Sequence, residues 1–430
     1  MDSRFRGNDI SHGEAGDEKS MKVAHFVQGY KPAIGGTEYL IQRVSEELVK
    51  TYGDDVTVYT TNAYNCEVFN HRGVKVMPPG DEVIAGVKVK RYKVVNSLAP
   101  LLNVAQKVSY RFHLPRNDLI RTAYSGPILP SLLRDMGRIR ADVVAASSFP
   151  LMHMHYASMT ARRLGAPLVL HGGLHPQDGW GFDRKVIYRL IEKADAYIAN
   201  TTFERDFLLG KDIDSRKIHV VGVGTDPDKF SGVNGDAIRR KYELGEHPVI
   251  TYMGQQGGHK GIDTLLKALP LVWRQAPEAR LILAGSRTKY SEVIDAMIAE
   301  MTPDEQAKIV VIPNFEEREK AEIIAAGDLF ASPSGFESFG ITFLEAWTAG
   351  KPVIGCRSGA IPSVITDGLN GILVDYKDYR ELAGAILELI FDAPLRNRLA
   401  ENGRQLVLKN YTWEIVARKF RSIYHTAVLG

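Results

Sequence analysis

Residues 333–352 read PSGFESFGITFLEAWTAGKP, and the fold is read outward from them. Glu337 precedes a turn bearing Gly340; an apolar helix over 343–349 follows and stops at Gly350 and Pro352. The apolar runs on either side, 329–332 and 352–355, have the length and hydrophobicity of strands buried on both faces. Strand, turn, helix and strand make the βαβ unit of a parallel sheet. The turn also carries chemistry. A carboxylate ahead of the helix start, free amides at that start and a second carboxylate, Glu345, farther in would suit a sugar nucleotide. The acids accept from hydroxyls, and the amides with the helix dipole favour phosphate oxygens.

The same rhythm extends through the second half of the chain. Further strands are expected at 249–253, 280–284, 309–312 and 371–374, and further helices at 261–273, 292–301, 318–325 and 379–392. A helix of mixed polarity is expected over 413–429. The first half opens with a strand at 22–28, a helix at 37–50 started by Thr37 and Glu38, and a strand at 55–60. It resumes with strands at 142–146, 167–171, 194–200 and 218–223 and helices at 154–164 and 203–209. Between the halves, GTDPDKFSGVNGD over 224–236 reads as an interdomain linker.

A chain of 430 residues, 44% hydrophobic and 24% charged, is ordinarily globular and long enough for two domains. Two distant cysteines, Cys66 and Cys356, imply a reduced cytoplasmic protein without disulfides. No run of about 18 apolar residues is present to span a membrane. Residues 1–20 are polar and lack a secretory apolar segment; they read as disordered or as an extension ahead of a start at Met21.

In open parallel sheets, ligands collect beyond the carboxyl ends of the strands. His171 ends one strand and opens HGGLH, with His175 a second candidate. Gly254 and Gln255 open GQQGGHKG, which brings Lys260 beside a glycine-rich turn able to meet a diphosphate, though the spacing is not that of a P-loop. Gly285 with Ser286, and Pro313 with Asn314 and Phe315, end two more strands and read equally as ordinary turns. Asp226-Pro227-Asp228 imitates an Asp-x-Asp metal motif, but lies in the linker; no zinc spacing and no GxGxxG occur, so no metal is expected.

From 86 to 140 the chain turns basic, with Lys88, Lys90, Arg91, Lys93, Lys107, Arg111, Arg116, Arg121, Arg134, Arg138 and Arg140 against only Asp118 and Asp135. Leu98, Leu101, Leu102, Val104 and Val108 are interleaved with them. The stretch reads either as a solvated insertion with one packed helix or as a surface for an anionic membrane. No nucleic-acid module is visible, and no nucleic-acid partner is expected.

Glu337-x7-Glu345, the GxxxxxKG of Gly254–Gly261, ADAYIANTTFERDFL at 194–208, GVGTDPDKF at 222–230 and YTW at 411–413 together resemble the family-4 retaining glycosyltransferases of GT-B fold. The resemblance covers nearly the whole chain from Met21. It implies an α/β protein of two facing doubly wound, Rossmann-like domains: an acceptor domain at 21–224, a nucleotide-sugar domain at 225–411, and a helix at 412–430 crossing back. It implies Lys260 and the amides near Phe339, Gly340 and Ile341 on the donor diphosphate, Glu345 on the ribose, and Glu337 and His171 by the transferred sugar. Gly35 and Gly36 would face the diphosphate from the first domain. Gly254, Gln255, Gly285, Asn314 and Phe315 would complete the donor site.

The implied reaction is hexose transfer from a UDP- or GDP-sugar to a glycan or lipid-linked acceptor, with no cofactor, by a cytoplasmic enzyme peripheral at the inner membrane face. An epimerase, a hydrolase or a non-catalytic nucleotide-sugar-binding module remain the alternatives. Two departures stand out: Gln255 replaces the usual arginine, at a cost of about 1–3 kcal/mol in leaving-group stabilisation, and Ser363 stands where glutamate is common.

Overall fold

The computed structural model describes residues 19–33, 35–71 and 74–430. The expectation for residues 1–20 therefore lies outside the described residues, except at Lys19 and Ser20.

The first half builds an eight-stranded sheet. Its strands are β1 (Lys22–Phe26), β2 (Asp55–Thr61), β3 (Gly80–Ile84), β4 (Val87–Tyr92), β5 (Val143–Ser147), β6 (Leu168–His171), β7 (Ala196–Ala199) and β8 (Ile218–Val220), in the order β3-β4-β2-β1-β5-β6-β7-β8. Only β3, on β4, runs antiparallel. The second half builds a six-stranded parallel sheet of β9 (Val249–Met253), β10 (Arg280–Ala284), β11 (Ile309–Ile312), β12 (Leu329–Ala331), β13 (Val353–Cys356) and β14 (Ile372–Val374), ordered β11-β10-β9-β12-β13-β14. Strand order reverses beside β1 in one sheet and beside β9 in the other. These are the switch points where an open sheet leaves a crevice.

Strand alternation divides the first sheet between two apolar layers. Val23, Val143 and Val169 point to one layer, whereas Ala24, Val144 and Leu168 point to the other. The C-terminal helix Trp413–Leu429 belongs to the first of these layers, with Trp413, Val416, Phe420 and Tyr424 buried beside Leu40, Val44 and Leu48 of the helix Gly36–Tyr52. Arg421 of the C-terminal helix donates to Asp54 at 3.0 Å, with both side chains almost wholly buried. The chain thus crosses between the halves twice, side by side, and Thr225 N–H donates to the Tyr411 carbonyl at 2.8 Å.

Two parts of the sequence reading change. Residues 87–92 are not part of a basic insertion but strand β4, whose Val-Lys-Val-Lys alternation places Val87 and Val89 in the core. Its cations have acids on the neighbouring strands: Lys88 meets Asp55 at 2.7 Å, Lys90 meets Asp81 at 3.2 Å, and Arg91 meets Glu82 at 2.5 Å. The linker is not bare coil either, because Pro227–Phe230 forms a short helix anchored by buried Phe230.

His25 on β1 ties three elements together. One ring nitrogen meets Ser45 at 2.7 Å and the other meets Tyr424 at 3.0 Å. Burial lowers its pKa to about 3, and burial likewise lowers those of His153 and His171 to about 4. The folded state holds these rings neutral, while the unfolded chain binds protons below about 6.5. Their contribution is therefore fully present above that pH and is lost as pH falls toward 4. Urea midpoints measured between pH 7 and pH 5 should fall in the native sequence and fall less in His25→Gln. Parallel pH profiles would contradict the assignment.

Candidate active site

A cleft of about 410 Å³ opens at the carboxyl ends of both sheets. Gly254 follows β9 and Ser332 follows β12, so its second-half wall sits at the switch point. His171 ends β6, and Asn200 follows β7 on the opposite wall.

Two helices begin at this cleft, Gly36–Tyr52 from the first half and Ile341–Thr348 from the second, and neither N-terminus has a side-chain cap. Uncapped helix starts concentrate partial positive charge, which favours an anion; at the first of them the Glu38 carboxyl already lies beside Gly35 and accepts from its own backbone N–H. At the second helix the cap is Gly340, with φ of 93° and room for no side chain: a Cβ there would lie 2.6 Å from the Phe343 ring. Phe339 sets its ring edge against Tyr411 at 5.3 Å, joining this turn to the returning chain.

Lys260 stands at the cleft beside the turn, and its ammonium donates to Glu337 at 2.6 Å. Glu345 lies one turn beyond Ile341 and is buried. Its Oε1 accepts from Lys320 at 2.5 Å, while Oε2 is buried without a hydrogen-bond partner. Burial raises the pKa of this carboxyl against the pull of the Lys320 ammonium. An unpaired buried acceptor costs about 1–3 kcal/mol, so this oxygen is suited to a hydroxyl-bearing ligand. His171 is also buried, with Ser147 Oγ at 2.9 Å from Nδ1 and Asn200 Oδ1 at 2.9 Å from Nε2. With the Asn200 carbonyl on Nε2, that nitrogen carries the proton and the Ser147 hydroxyl donates to Nδ1.

Of the residues singled out in the sequence, the cleft brings together Gly36, His171, His175, Gly254, Lys260, Glu337, Phe339, Gly340 and Ile341. Gly35 caps the first helix next to Gly36. Gln255, Gly285, Asn314, Phe315 and Glu345 lie outside the lining. Gln255 and Asn314 are exposed, whereas Phe315 is half-buried against the core. Arg287, a candidate to replace the missing arginine charge, is tied to Asp295, and His259 is stacked on Phe336. Asp226 is surrounded by cations, with Arg43 and Lys229 both at 2.7 Å. No cluster of His, Cys, Asp or Glu suited to a metal occurs among the described residues.

Several contributors were not read as site residues in the sequence. Glu38 lines the cleft, and burial raises its pKa. Ser363 bridges the two halves, its hydroxyl oxygen accepting from Thr202 Oγ1 at 3.0 Å and from Phe203 N–H at 3.2 Å. Glu204 organises the loop after β6: Oε1 accepts from the Gly173 and Leu174 amides and the Tyr197 hydroxyl, and Oε2 accepts from the Asn200 amide. Asn200 and Glu204 both lie in the stretch 194–208, and a polar residue directly after a buried strand, as Asn200 is, was a further signal.

The sequence profile described as Glycosyl transferases group 1 matches residues 234–406, and that of Glycosyltransferase Family 4 matches 34–229. The chain is 30% identical over 320 residues to a D-inositol 3-phosphate glycosyltransferase of Xylanimonas cellulosilytica, covering 68% of this chain and 75% of the relative. The chain belongs to the family-4, group 1 glycosyltransferases. To a GDP-mannose-dependent alpha-(1-6)-phosphatidylinositol monomannoside mannosyltransferase of Mycolicibacterium smegmatis, this glycosyltransferase is 25% identical, covering 89% of this chain and 93% of the relative. Against some other relatives, the matched region spans 55% or 59% of their length. The structure of Anabaena HepE in complex with UDP and glucose superposes with a TM-score of 0.69 at 18% identity, covering 94% of this chain and all of that one. The fold is GT-B.

Glu204→Gln replaces an acceptor on the Asn200 side with a donor. Unfolding stability should drop by about 1–3 kcal/mol, with faster amide exchange at Gly173 and Leu174. Unchanged stability and exchange would contradict the role given to this carboxylate.

Proposed function

We propose that this glycosyltransferase moves a hexose from a UDP- or GDP-sugar to a glycan or lipid-linked acceptor, with retention of anomeric configuration and without a metal. The observation that carries the reading is the convergence of Lys260 and two uncapped helix N-termini on one cleft. Lys260 and the amides around Gly340 take the charge of the leaving diphosphate, and the amide of Gly36 approaches it from the other half. Glu345 Oε2 accepts from the ribose hydroxyls. Glu337, oriented by Lys260, accepts from the sugar, while neutral His171 forms the wall beside it. Gly254, Gln255 and Gly285 complete the donor site, and Asn314 and Phe315, with Pro313, frame the base largely through their backbone.

In the transfer step, the bond from the anomeric carbon to the diphosphate oxygen breaks, and a bond from that carbon to the acceptor oxygen forms on the same face. The acceptor proton passes to the departing diphosphate. No covalent intermediate with a side chain is needed; positioning, charge stabilisation and water exclusion lower the barrier. The names of the matched relatives support a nucleotide-sugar donor and an acceptor that is a lipid-linked or phosphorylated alcohol. A lipid-linked acceptor, unlike a free phosphorylated alcohol, would hold the enzyme at the inner face of a membrane. No described helix is long and apolar enough to cross one.

A panel of nucleotide sugars, with product configuration read by NMR, tests the reaction directly. Lys260→Ala should lower kcat/KM by roughly 10²–10³, the range for losing one preorganised donor to a developing anion. Glu345→Gln should mainly raise the donor KM, by roughly tenfold. Unchanged transfer in both variants would overturn these roles, and loss of activity on chelation would overturn the metal-free reading.

A further inference from the structure

The helix Ala99–Arg111 is packed inside out. Its inward side carries Gln106 and Ser109, which are buried, while Leu101, Val104 and Val108 are 68%, 60% and 45% exposed. Phe112, at the C-cap, extends the same stripe and is 70% exposed. Spacings of three and four residues put all four on one face. A contiguous apolar stripe left facing solvent marks an interaction surface.

Beside this stripe is an open cavity of about 620 Å³, lined by Gln106, Lys107, Tyr110, Arg111, His113 and Trp180. Two buried guanidinium groups lie behind its aromatic wall. Arg121 sits 4.9 Å from the Tyr110 ring and donates to the Trp180 carbonyl at 2.8 Å; its Nε is buried without a partner. Arg184 sits 5.1 Å from the Trp180 ring and donates to the Trp180 carbonyl, Thr122 and Ser125. Neither makes an ion pair among the described residues. Burial and the neighbouring Arg121 charge lower the Arg184 pKa to about 10. The Asp178 and Asp118 carboxylates offset part of the Arg184 cost from a distance, and with Lys107 and Arg111 on the cavity wall itself the local field favours an anion there.

We infer that this helix and cavity form a membrane-docking site, with the apolar stripe entering the bilayer interface and the cavity holding the phosphate of an anionic phospholipid. The inference deepens the lipid-linked acceptor reading and rests on it. It narrows the basic stretch to one built site and leaves out Lys88, Lys90 and Arg91, which have acids of their own. The site also communicates with the chemistry: the loop that begins at His171 and His175 in the cleft reaches Trp180 in the cavity wall. A docked bilayer would therefore lie at the acceptor side of the cleft.

Co-sedimentation with phosphatidylcholine vesicles, with and without phosphatidylglycerol, tests the inference. Binding should require phosphatidylglycerol and weaken with salt. The double variant K107A/R111A should bind roughly thirtyfold more weakly, from about 1 kcal/mol per basic residue. L101Q/V104Q should also weaken binding, without changing the thermal midpoint, because both side chains are exposed. Equal binding to both vesicle types, or no binding at low salt, would overturn the inference. So would a thermal shift with inorganic phosphate but no vesicle binding, or self-association through the stripe that L101Q/V104Q abolishes. UDP and GDP binding in the same samples reports on the transferase reading separately, and neither double variant should alter it.

Discussion

Amides at the start of a helix have no partner within the helix, and here two such starts share one cleft. Everything else in the candidate site serves that constraint. Gly340 permits the tight approach into the second helix, Lys260 adds a full charge, and Glu337 neutralises and orients the lysine. Without an anionic ligand, the arrangement would concentrate partial positive charge at modest gain. The proposed diphosphate would answer these groups together. Gln255 supplies no charge, and Arg287 is committed to Asp295, so in the proposed reading the helix amides and Lys260 would carry the electrostatic task between them.

Keeping the two helix starts opposed requires the halves to be held in register. The C-terminal helix supplies much of this, with Trp413 and Phe420 buried, Arg421 on Asp54, and Tyr424 on His25. Asp226 gathers Arg43 and Lys229 near the crossing, and Ser363 receives the first turn of the helix Thr202–Leu209.

Much of this was legible in the sequence because buried parallel strands are continuous apolar runs, as in β9 and β10. The edge strand β3 escaped because GDEVI is exposed and polar, with only its pairing to β4 making it a strand. The helix Ala393–Asn410 escaped because Gly403 interrupts its pattern. That glycine lets the helix approach the Trp347 indole, where a Cβ would stand 2.1 Å away. The helix Lys185–Glu192 also went unread. Within the site, Lys260 and Glu337 were visible as candidates; Asn200 and Glu204 lie in the quoted motif at 194–208 but their roles come from tertiary contacts, as does that of Lys320, which no motif marked. The basic stretch was seen as one feature. Only burial and pairing divide it into a strand with satisfied charges and an inverted helix above two buried arginines that make no ion pair among the described residues.

The central claim is that the cleft is built around a diphosphate. Calorimetric titration of UDP and GDP against uridine and guanosine tests it most directly. At least one diphosphate should bind roughly a hundredfold more tightly than its nucleoside, corresponding to about 2.7 kcal/mol from charge-assisted hydrogen bonds. Equal affinity for nucleoside and diphosphate would contradict the account.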